Sequence, residues 1–588
     1  MVDISSVNNM SIVKINIPSK SQLPDLWDEI QPDFTMPSPR KYQAEILSII
    51  KWSMTNDKFD NIVIQAPTGI GKSAIAMTLK KWYDSAYLLT PTLGLTEQYK
   101  RDYPSHMSEL KGRSNFPCWA REGTAESAPC YTKNHTCPHT KSEDPCPYYE
   151  QKFEAADSQL VLSNPSYMFR LIKGDVNFGQ RSLAIYDEAH DLESFFLDFV
   201  ETKISLADYA LIYGETKNFP MHYHAADWIK PIMEMHKEAE KGIDIADKLG
   251  DEKQIERYRN LLGKTAMLLD LLKTPNQVII ENVLENGKRV LKVRPVRANR
   301  FALENLERLS SARIMLSATI LDIDTFINNL GLENQRTLYI NVTKSPFPAE
   351  NFKIHYATCG PMSYAKREKS IQKQIKAIAG IMTKFKDKRG VILPHSHYIR
   401  ETIVNGLIDL GFGDRICTHG SDPRGRKVAL ERFFSNKEKD LVLISTYVGQ
   451  GFDFKGDLAE WLVICKIPFL PIKGDPVIEQ RLLEDEHSWR AKYEGTLDCP
   501  YEPPNKYSSG MCSSFSCPAP CKSWYSLQTA LKLVQGAGRI IRSPTDKGHL
   551  FILDGSWARF SRMNNHLLPA WFRDAIEEPP NWLKRHLI

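Results

Sequence analysis

Nowhere in these 588 residues does an apolar run reach the roughly 20 residues that a membrane-spanning helix needs. The most apolar late segment, LAEWLVICKIPFLPI from Leu458 to Ile472, is interrupted by Glu460, Lys466, Pro468 and Pro471, so no span is expected. The first twenty residues lack an apolar stretch ending in a small-residue cleavage site, which argues against a secretory signal. No repeat or low-complexity tail suggests a recruiting arm, and charge of neither sign dominates: 76 Lys and Arg stand against 71 Asp and Glu, a net of +5. That balance permits a basic groove without demonstrating one. An intracellular chain is expected, cytoplasmic and nucleoid-associated or nuclear. With 42% hydrophobic and 25% charged residues it is long enough for three to five units of about 100–200 residues.

Disulfides are not what the eleven cysteines suggest. Eight fall into two groups of four, Cys118, Cys130, Cys137 and Cys146, then Cys499, Cys512, Cys517 and Cys521. In a reducing compartment such clustering favours metal ligation. The first group has gaps of eleven, six and eight residues, in a segment rich in Pro, Thr and His that has little hydrophobic periodicity and needs a staple to hold a fold. Spacing alone does not choose iron over zinc, although zinc prefers pairs about two to four residues apart and none of these gaps fits. His135 and His139 are candidate substitute ligands. The second group, with gaps of twelve, four and three in a Pro-, Gly- and Ser-rich segment, is a candidate structural Zn2+ site, unligated cysteines being the alternative. Cys359, Cys417 and Cys465 stand alone and read as buried small hydrophobes.

The segment IVIQAPTGIGKSAIAMTLKKWY reads as a β-rich strand from Ile62, a Gly-containing loop and a helix. Ala66, Pro67, Thr68, Gly69 and Gly71 would form a phosphate cradle of backbone N–H groups. Lys72 would reach the terminal phosphates of ATP and Ser73 would ligate Mg2+. The generic pattern begins with Gly where this chain has Ala66. In LAIYDEAH a buried strand delivers Asp187 and Glu188 to its end, Asp187 to hold magnesium and Glu188 to polarise water as general base. An isolated DEAH would equally suit the first turn of a surface helix. Further on, ARIMLSATI and LVLISTYVGQGFDF each run from a strand into a loop, and LVQGAGRIIRS carries Gln535, Arg539 and Arg542. Three apart, the two arginines would share a helix face and could both meet a γ-phosphate.

Taken together, these stretches make the sequence resemble the superfamily two helicases, and within them the iron–sulfur branch of XPD and bacterial DinG. The resemblance runs over roughly residues 37–560 and rests on APTGIGKS, LTPTLGLTEQY, YDEAH, LSATI, SPFP at 345–348, KIPFLPIKGDP at 466–476 and QGAGRIIR. SPFP and the KIPFLP stretch are particular to that branch, which also has Ala at the start of its phosphate loop.

The resemblance implies an α/β architecture of two RecA-like parallel-sheet domains with ATP between them. The first would supply Lys72, Ser73, Asp187 and Glu188, and the second Gln535, Arg539 and Arg542. It implies adenine contact by Gln43, a link from His190 and Thr319 to nucleic-acid grip, and Gly451 and Asp453 near the opposite face of the site. It also implies a [4Fe–4S] cluster on Cys118, Cys130, Cys137 and Cys146. The expected division is 1–115, amino-terminal segment and start of the first RecA-like domain; 116–155, iron–sulfur insertion; 156–197, first domain resumed; 198–275, helical arch-like insertion; 276–345, end of the first domain; and 346–588, second domain with a Cys-rich insertion at about 499–521. After the helical stretch, QVIIENVLENGKRVLKVRPV reads as a hairpin around Asn-Gly. Trp82, Tyr99, Tyr148, Tyr149 and Phe153 are candidate base-stacking residues.

The expected activity is a monomeric ATP-dependent DNA helicase acting on single strands and tailed duplexes, 5′-to-3′ by the resemblance. The alternatives are a translocase that strips proteins or RNA, including RNA:DNA hybrids, without efficient unwinding, and a non-motor ATP-gated clamp. The residues before RKYQ are too few for the exonuclease domain some DinG relatives carry. Protein partners are not legible.

Overall fold

The computed structural model describes residues 12–18, 25–104, 107–120, 122–128, 130, 137–140, 143–172, 178–214, 218–220, 224–420, 422–435, 440–446, 458–472, 474–482, 523–541, 543 and 545–586. Gly451, Asp453, Arg542, His135 and the quartet Cys499, Cys512, Cys517 and Cys521 lie outside the described residues. Among those described, no helix is long and apolar enough to cross a membrane.

Six strands open the first domain: β1 (Ile12–Ile17), β2 (Asn61–Gln65), β3 (Ala86–Leu89), β4 (Ser108–Leu110), β5 (Leu160–Ser163) and β6 (Leu183–Tyr186). The chain then leaves to build β7 (Thr202–Ser205), β8 (Val278–Glu285) and β9 (Lys288–Pro295), and returns with β10 (Arg313–Ser317) and β11 (Thr337–Val342). The result is an eight-stranded sheet of order β1-β11-β2-β10-β6-β3-β5-β4 in which every pairing is parallel. Strands covered on both faces are mostly apolar, and β2, β3, β5, β6 and β10 are buried at every position, with polar Asn61, Gln65, Ser163, Arg313 and Ser317 confined to strand ends. Alternation assigns the faces: Val63, Tyr87, Val161, Ala184 and Met315 enter one core, and Ile62, Leu88, Leu162, Ile185 and Leu316 the other.

The sheet order positions the site. Because β10 lies between β2 and β6, the phosphate loop after β2, the Ser-Ala-Thr turn after β10 and the Asp-Glu pair after β6 emerge side by side at the carboxyl edge. Residues more than two hundred apart in sequence thereby become neighbours.

The second domain holds β12 (Phe352–Tyr356), β13 (Gly390–Leu393), β14 (Ile416–Thr418), β15 (Val442–Ile444), β16 (Trp461–Ile464), β17 (Gly548–Ile552) and β18 (Ile576–Glu577). They pair in parallel in the order β14-β15-β13-β16-β17-β12-β18. The expectation of two parallel-sheet domains therefore holds.

Between β7 and β8 the helices Ile229–Leu249 and Glu252–Leu271 form a long antiparallel pair. The first buries Ile232, Met235, Ala239, Gly242 and Ala246, a spacing of three and four that draws one stripe along a helix. Gly242 lets the pair close up, since a Cβ there would lie 2.4 Å from the Tyr258 ring. Gly250, at φ 65°, ends the first helix, and the Asp251 side chain accepts from the Gln254 N–H to begin the second. The hairpin expected around Asn286 and Gly287 is β8–β9, and β9 also pairs with β7 to make a small antiparallel sheet. The helical pair and the hairpin are thus one excursion from the first domain, joined by a strand not recognised from the sequence.

Candidate functional site

The phosphate loop takes its shape from two glycines in the left-handed region, Gly69 at φ 87° and Gly71 at φ 86°. The helix Lys72–Lys80 starts directly after them, so its free N–H groups face the loop. Lys72 Nζ donates to the Ala66 carbonyl at 3.3 Å. Ala66 is fully buried and its N–H bonds the Ser317 carbonyl at 2.9 Å, which ties the loop to the end of β10. Gln43 is buried, and its amide is used locally: Oε1 accepts from the Arg40 N–H at 2.6 Å and Nε2 donates to the Gly71 carbonyl at 3.1 Å. Arg40 Nη1 reaches the Gly69 carbonyl at 3.1 Å. Arg40 and Gln43 thus brace the loop from behind.

At the end of β6, Asp187 is buried and Glu188 follows at φ 51° with its side chain 29% exposed. Burial, with Glu188 adding to it, pushes the Asp187 carboxyl up to about 6, against the pull of Lys72, the Glu188 N–H and Tyr99. Tyr99 had stood among the stacking candidates, and the structure corrects that reading: the ring is fully buried and its hydroxyl donates to Asp187 Oδ2 at 3.0 Å while also meeting the Ser73 hydroxyl. Burial and then Asp187 raise its phenol well above the ordinary value, so it stays a neutral donor. No motif signalled this role, which joins β3's following helix to two loops. Tyr148 is buried as well, hydrogen-bonded to Tyr167 at 2.8 Å, and does not offer a free ring face for a base.

His190 Nδ1 lies 2.9 Å from Ser317 Oγ and 3.3 Å from Glu188 Oε2. Burial opposes its imidazolium, but Asp191 and Glu188 outweigh burial and raise its pKa. Ser317 Oγ also accepts from the Thr319 N–H at 2.9 Å, so the Asp-Glu turn and the Ser-Ala-Thr turn form one polar chain.

Across the cleft, Thr68 Oγ1 lies 3.3 Å from the Ile541 carbonyl and 3.5 Å from that of Gly538. Pro67, Thr68, Phe347, Gly538, Ile541 and Trp571 line a cavity of about 220 Å3 there. Phe347 lies directly over the phosphate loop: a Cβ on Gly69 would fall 1.9 Å from its ring. The helix Ser523–Ala537 presents a half-buried Gln535 and ends before Arg539, which sits in the turn after Gly538. The helix stops at Ala537, so Arg539 does not lie on it and the helical face expected of the arginine pair is not formed at Arg539.

A second contact ties the domains. The Arg481 guanidinium meets Glu193, three residues after His190, and reaches Asn329 Oδ1 at 2.8 Å. It stacks 3.9 Å from the Trp524 ring, whose Nε1 donates to Glu193 at 3.2 Å.

Cys118, Cys130, Cys137 and Cys146 all line one small cavity of about 10 Å3. Cys137 and Cys146 are buried, and Cys118 and Cys130 half-buried. Arg113 Nη1 approaches Cys130 Sγ at 3.6 Å and its guanidinium lies 4.2 Å from the Tyr148 ring. His139 faces the same cavity, its Nδ1 3.2 Å from the Asp144 carboxylate. Among the described residues no three His, Cys, Asp or Glu side chains converge tightly enough for a single ion. The four cysteines share that cavity, with the Arg113 guanidinium beside Cys130.

Two family models match the chain: "Type III restriction enzyme, res subunit" over residues 36–208 and "Helicase C-terminal domain" over residues 380–575. No curated protein matches it. Among solved structures it is similar to an XPD helicase (TM-score 0.59, 14% identity, covering 92% of this chain and 100% of that one). It is also similar to Xpd4 of S. tokodaii (TM-score 0.54, 14% identity, 92% and 100%). An XPD structure in its apo form gives TM-score 0.54 at 14% identity, over 91% and 100%. With both motor halves matched in order, the chain is an ATP-hydrolysing enzyme of the superfamily two helicase type.

Proposed function

We propose that this enzyme is a DNA helicase of the XPD and DinG kind, which translocates 5′-to-3′ on single-stranded DNA and opens tailed duplexes. The observation that carries the reading is the cleft itself, where the phosphate loop, the Asp-Glu pair and the Ser-Ala-Thr turn meet the Gly538–Ile541 turn of the second domain. ATP would lie on the loop's N–H groups with Lys72 at its terminal phosphates. Ser73, at the start of the helix after the phosphate loop, and Asp187, at the end of β6, would be the Mg2+ ligands. When bound, Mg2+ would neutralise phosphate charge. Glu188, exposed enough to meet solvent, would orient and deprotonate the attacking water. Arg539 would complete the charge stabilisation from the second domain as the cleft closes.

The DNA assignment draws support from the similarity to XPD structures, the long helical pair and the cysteine cavity. At the carboxyl ends of β13, β14 and β15, a cavity of about 310 Å3 lined by Ser396, His397, His419, Arg426 and Thr446 offers donors for a nucleic-acid backbone. On this reading the four thiols would carry a [4Fe–4S] group, which would hold a segment with few apolar residues of its own rigid at the strand-separation edge. Hydrolysis of ATP measured with and without single-stranded DNA tests the reading. Stimulation that Glu188→Gln abolishes supports it, and hydrolysis indifferent to DNA opposes it.

A further inference from the structure

The second domain carries a groove of about 550 Å3 that belongs to neither the nucleotide cleft nor the histidine-lined cavity. Its walls are the second half of the helix Arg367–Lys384, the turn at Leu410 and Phe412, and the carboxyl-terminal helix Asn581–Lys584 with the residues after it. The first two of these segments precede β13 and β14, so the groove opens at the amino edge of those strands, while His397, His419 and Thr446 lie at their carboxyl ends. Its Phe412 and Trp582 pack on one face of the sheet; Phe347 and Trp571 of the interdomain cleft pack on the other.

The lining has one sign of charge. Lys376, Lys384 and Arg585 surround it, with His586 beside them, and among the described lining residues there is no carboxylate. Lys376, Lys384 and Arg585 make no side-chain hydrogen bond or ion pair with another described residue, whereas nearby Lys584 is paired with Glu578. The floor is apolar and open: Leu410 is 52% exposed beside Phe412. The carboxyl-terminal segment lies flush on the long helix because Gly380 has no side chain; a Cβ there would be 2.5 Å from the His586 ring.

From this combination we infer a docking site for an acidic peptide segment of a partner protein, carrying at least one large aliphatic or aromatic side chain. Unpaired cations around an apolar floor match carboxylates flanking an apolar anchor. A nucleic-acid strand suits the groove less well. The most prominent ring, Trp582, is already held edge-on by Phe385 and Phe551, with centroids 6.3 and 6.2 Å away, and the exposed contact is the aliphatic Leu410. The inference does not depend on the proposed DNA activity.

The test is fluorescence anisotropy on the full chain with three probes: a labelled peptide alternating Glu and Asp with Leu and Phe, the same peptide with Gly replacing Leu and Phe, and labelled single-stranded oligothymidine. Each is titrated with the wild type, with Lys376→Glu/Lys384→Glu and with Leu410→Asp, all at exposed positions. The acidic–apolar peptide is expected to bind and to lose about tenfold or more in affinity in both variants, with the Gly peptide weak throughout and DNA-stimulated ATP hydrolysis unchanged. Peptide binding that neither variant alters, or no peptide binding, overturns the inference. So does oligothymidine binding weakened by both variants as much as peptide binding, which would make the groove a nucleic-acid surface.

Discussion

The Tyr99 hydroxyl donates to Asp187 Oδ2 across 3.0 Å, so one buried phenol orients a side chain that would carry the catalytic magnesium. Groups that orient metal ligands typically matter by about 10–100-fold in affinity or activity. Tyr99→Phe is therefore expected to raise the Mg2+ concentration needed for half-maximal ATP hydrolysis by about tenfold, with a smaller effect at saturating Mg2+. A Mg2+ titration unchanged from wild type would show that the hydroxyl only fills space.

Phe347 seals the loop at Gly69. Gly69→Ala meets two obstacles, a left-handed backbone costing roughly 1–2 kcal/mol and a collision with the Phe347 ring. Nucleotide binding should weaken at least tenfold, and adding Phe347→Ala should restore part of it by relieving the collision but not the strain. A double-mutant cycle on ATP affinity checks this, and strict additivity would mean the two residues do not touch in the working enzyme.

Arg481 and Glu193 are buried together at the junction of the domains, with side chains 2% and 10% exposed. Removing one partner of such a pair leaves an uncompensated charge and costs about 3–5 kcal/mol. Arg481→Met should lower the first thermal unfolding transition strongly, and Arg481→Met/Glu193→Met should recover much of the loss. The single variant melting like wild type would contradict the contact.

His355 Nε2 and His549 Nδ1 lie 3.1 Å apart in stacked rings between β12 and β17. Burial lowers both, and His549 falls to about 4, with His355, Lys353 and Lys388 adding to burial and Glu577 opposing it. An imidazole depressed in the folded state takes up protons more readily when unfolded, so its contribution is intact above the ordinary value near 6.5 and is lost as pH falls toward 4. After allowing for partial exposure the loss is on the order of 1–2 kcal/mol. Denaturant unfolding from pH 7 to 4.5 should show it, and His549→Phe should flatten the profile.

Cys137 is buried in the cysteine cavity. Cys137→Ser is expected to remove most of the iron and the visible absorbance from anaerobically purified protein and to abolish unwinding, while leaving some basal ATP hydrolysis. A fully active colourless variant would remove the cluster from the account.

Much of the fold was legible because parallel strands buried on both faces announce themselves as short apolar runs, and the loops of the nucleotide cleft each follow such a run directly. Asp187 and Ser73 were readable for that reason. Tyr99 was not, since its role depends on a packing of three elements that no local pattern encodes. Gln43 and Arg40 look like an ordinary polar helix start until the loop is placed against them. Glu193 and Arg481 are separated by 288 residues, and only the assembled sheets bring them together. The arginine spacing misled because the helix stops at Ala537, before Arg539, and β7 escaped notice because TKIS is too short for its alternation to stand out.

Strand separation on duplexes with either a 5′ or a 3′ single-stranded tail, with anaerobically purified protein and Glu188→Gln as control, is the most direct test of the central claim. ATP-dependent opening of the 5′-tailed duplex alone, lost in the control, is the expected result. DNA-stimulated hydrolysis with neither duplex opened would contradict it and indicate a translocase that clears the strand without unwinding, and binding with no stimulated hydrolysis would indicate a static clamp.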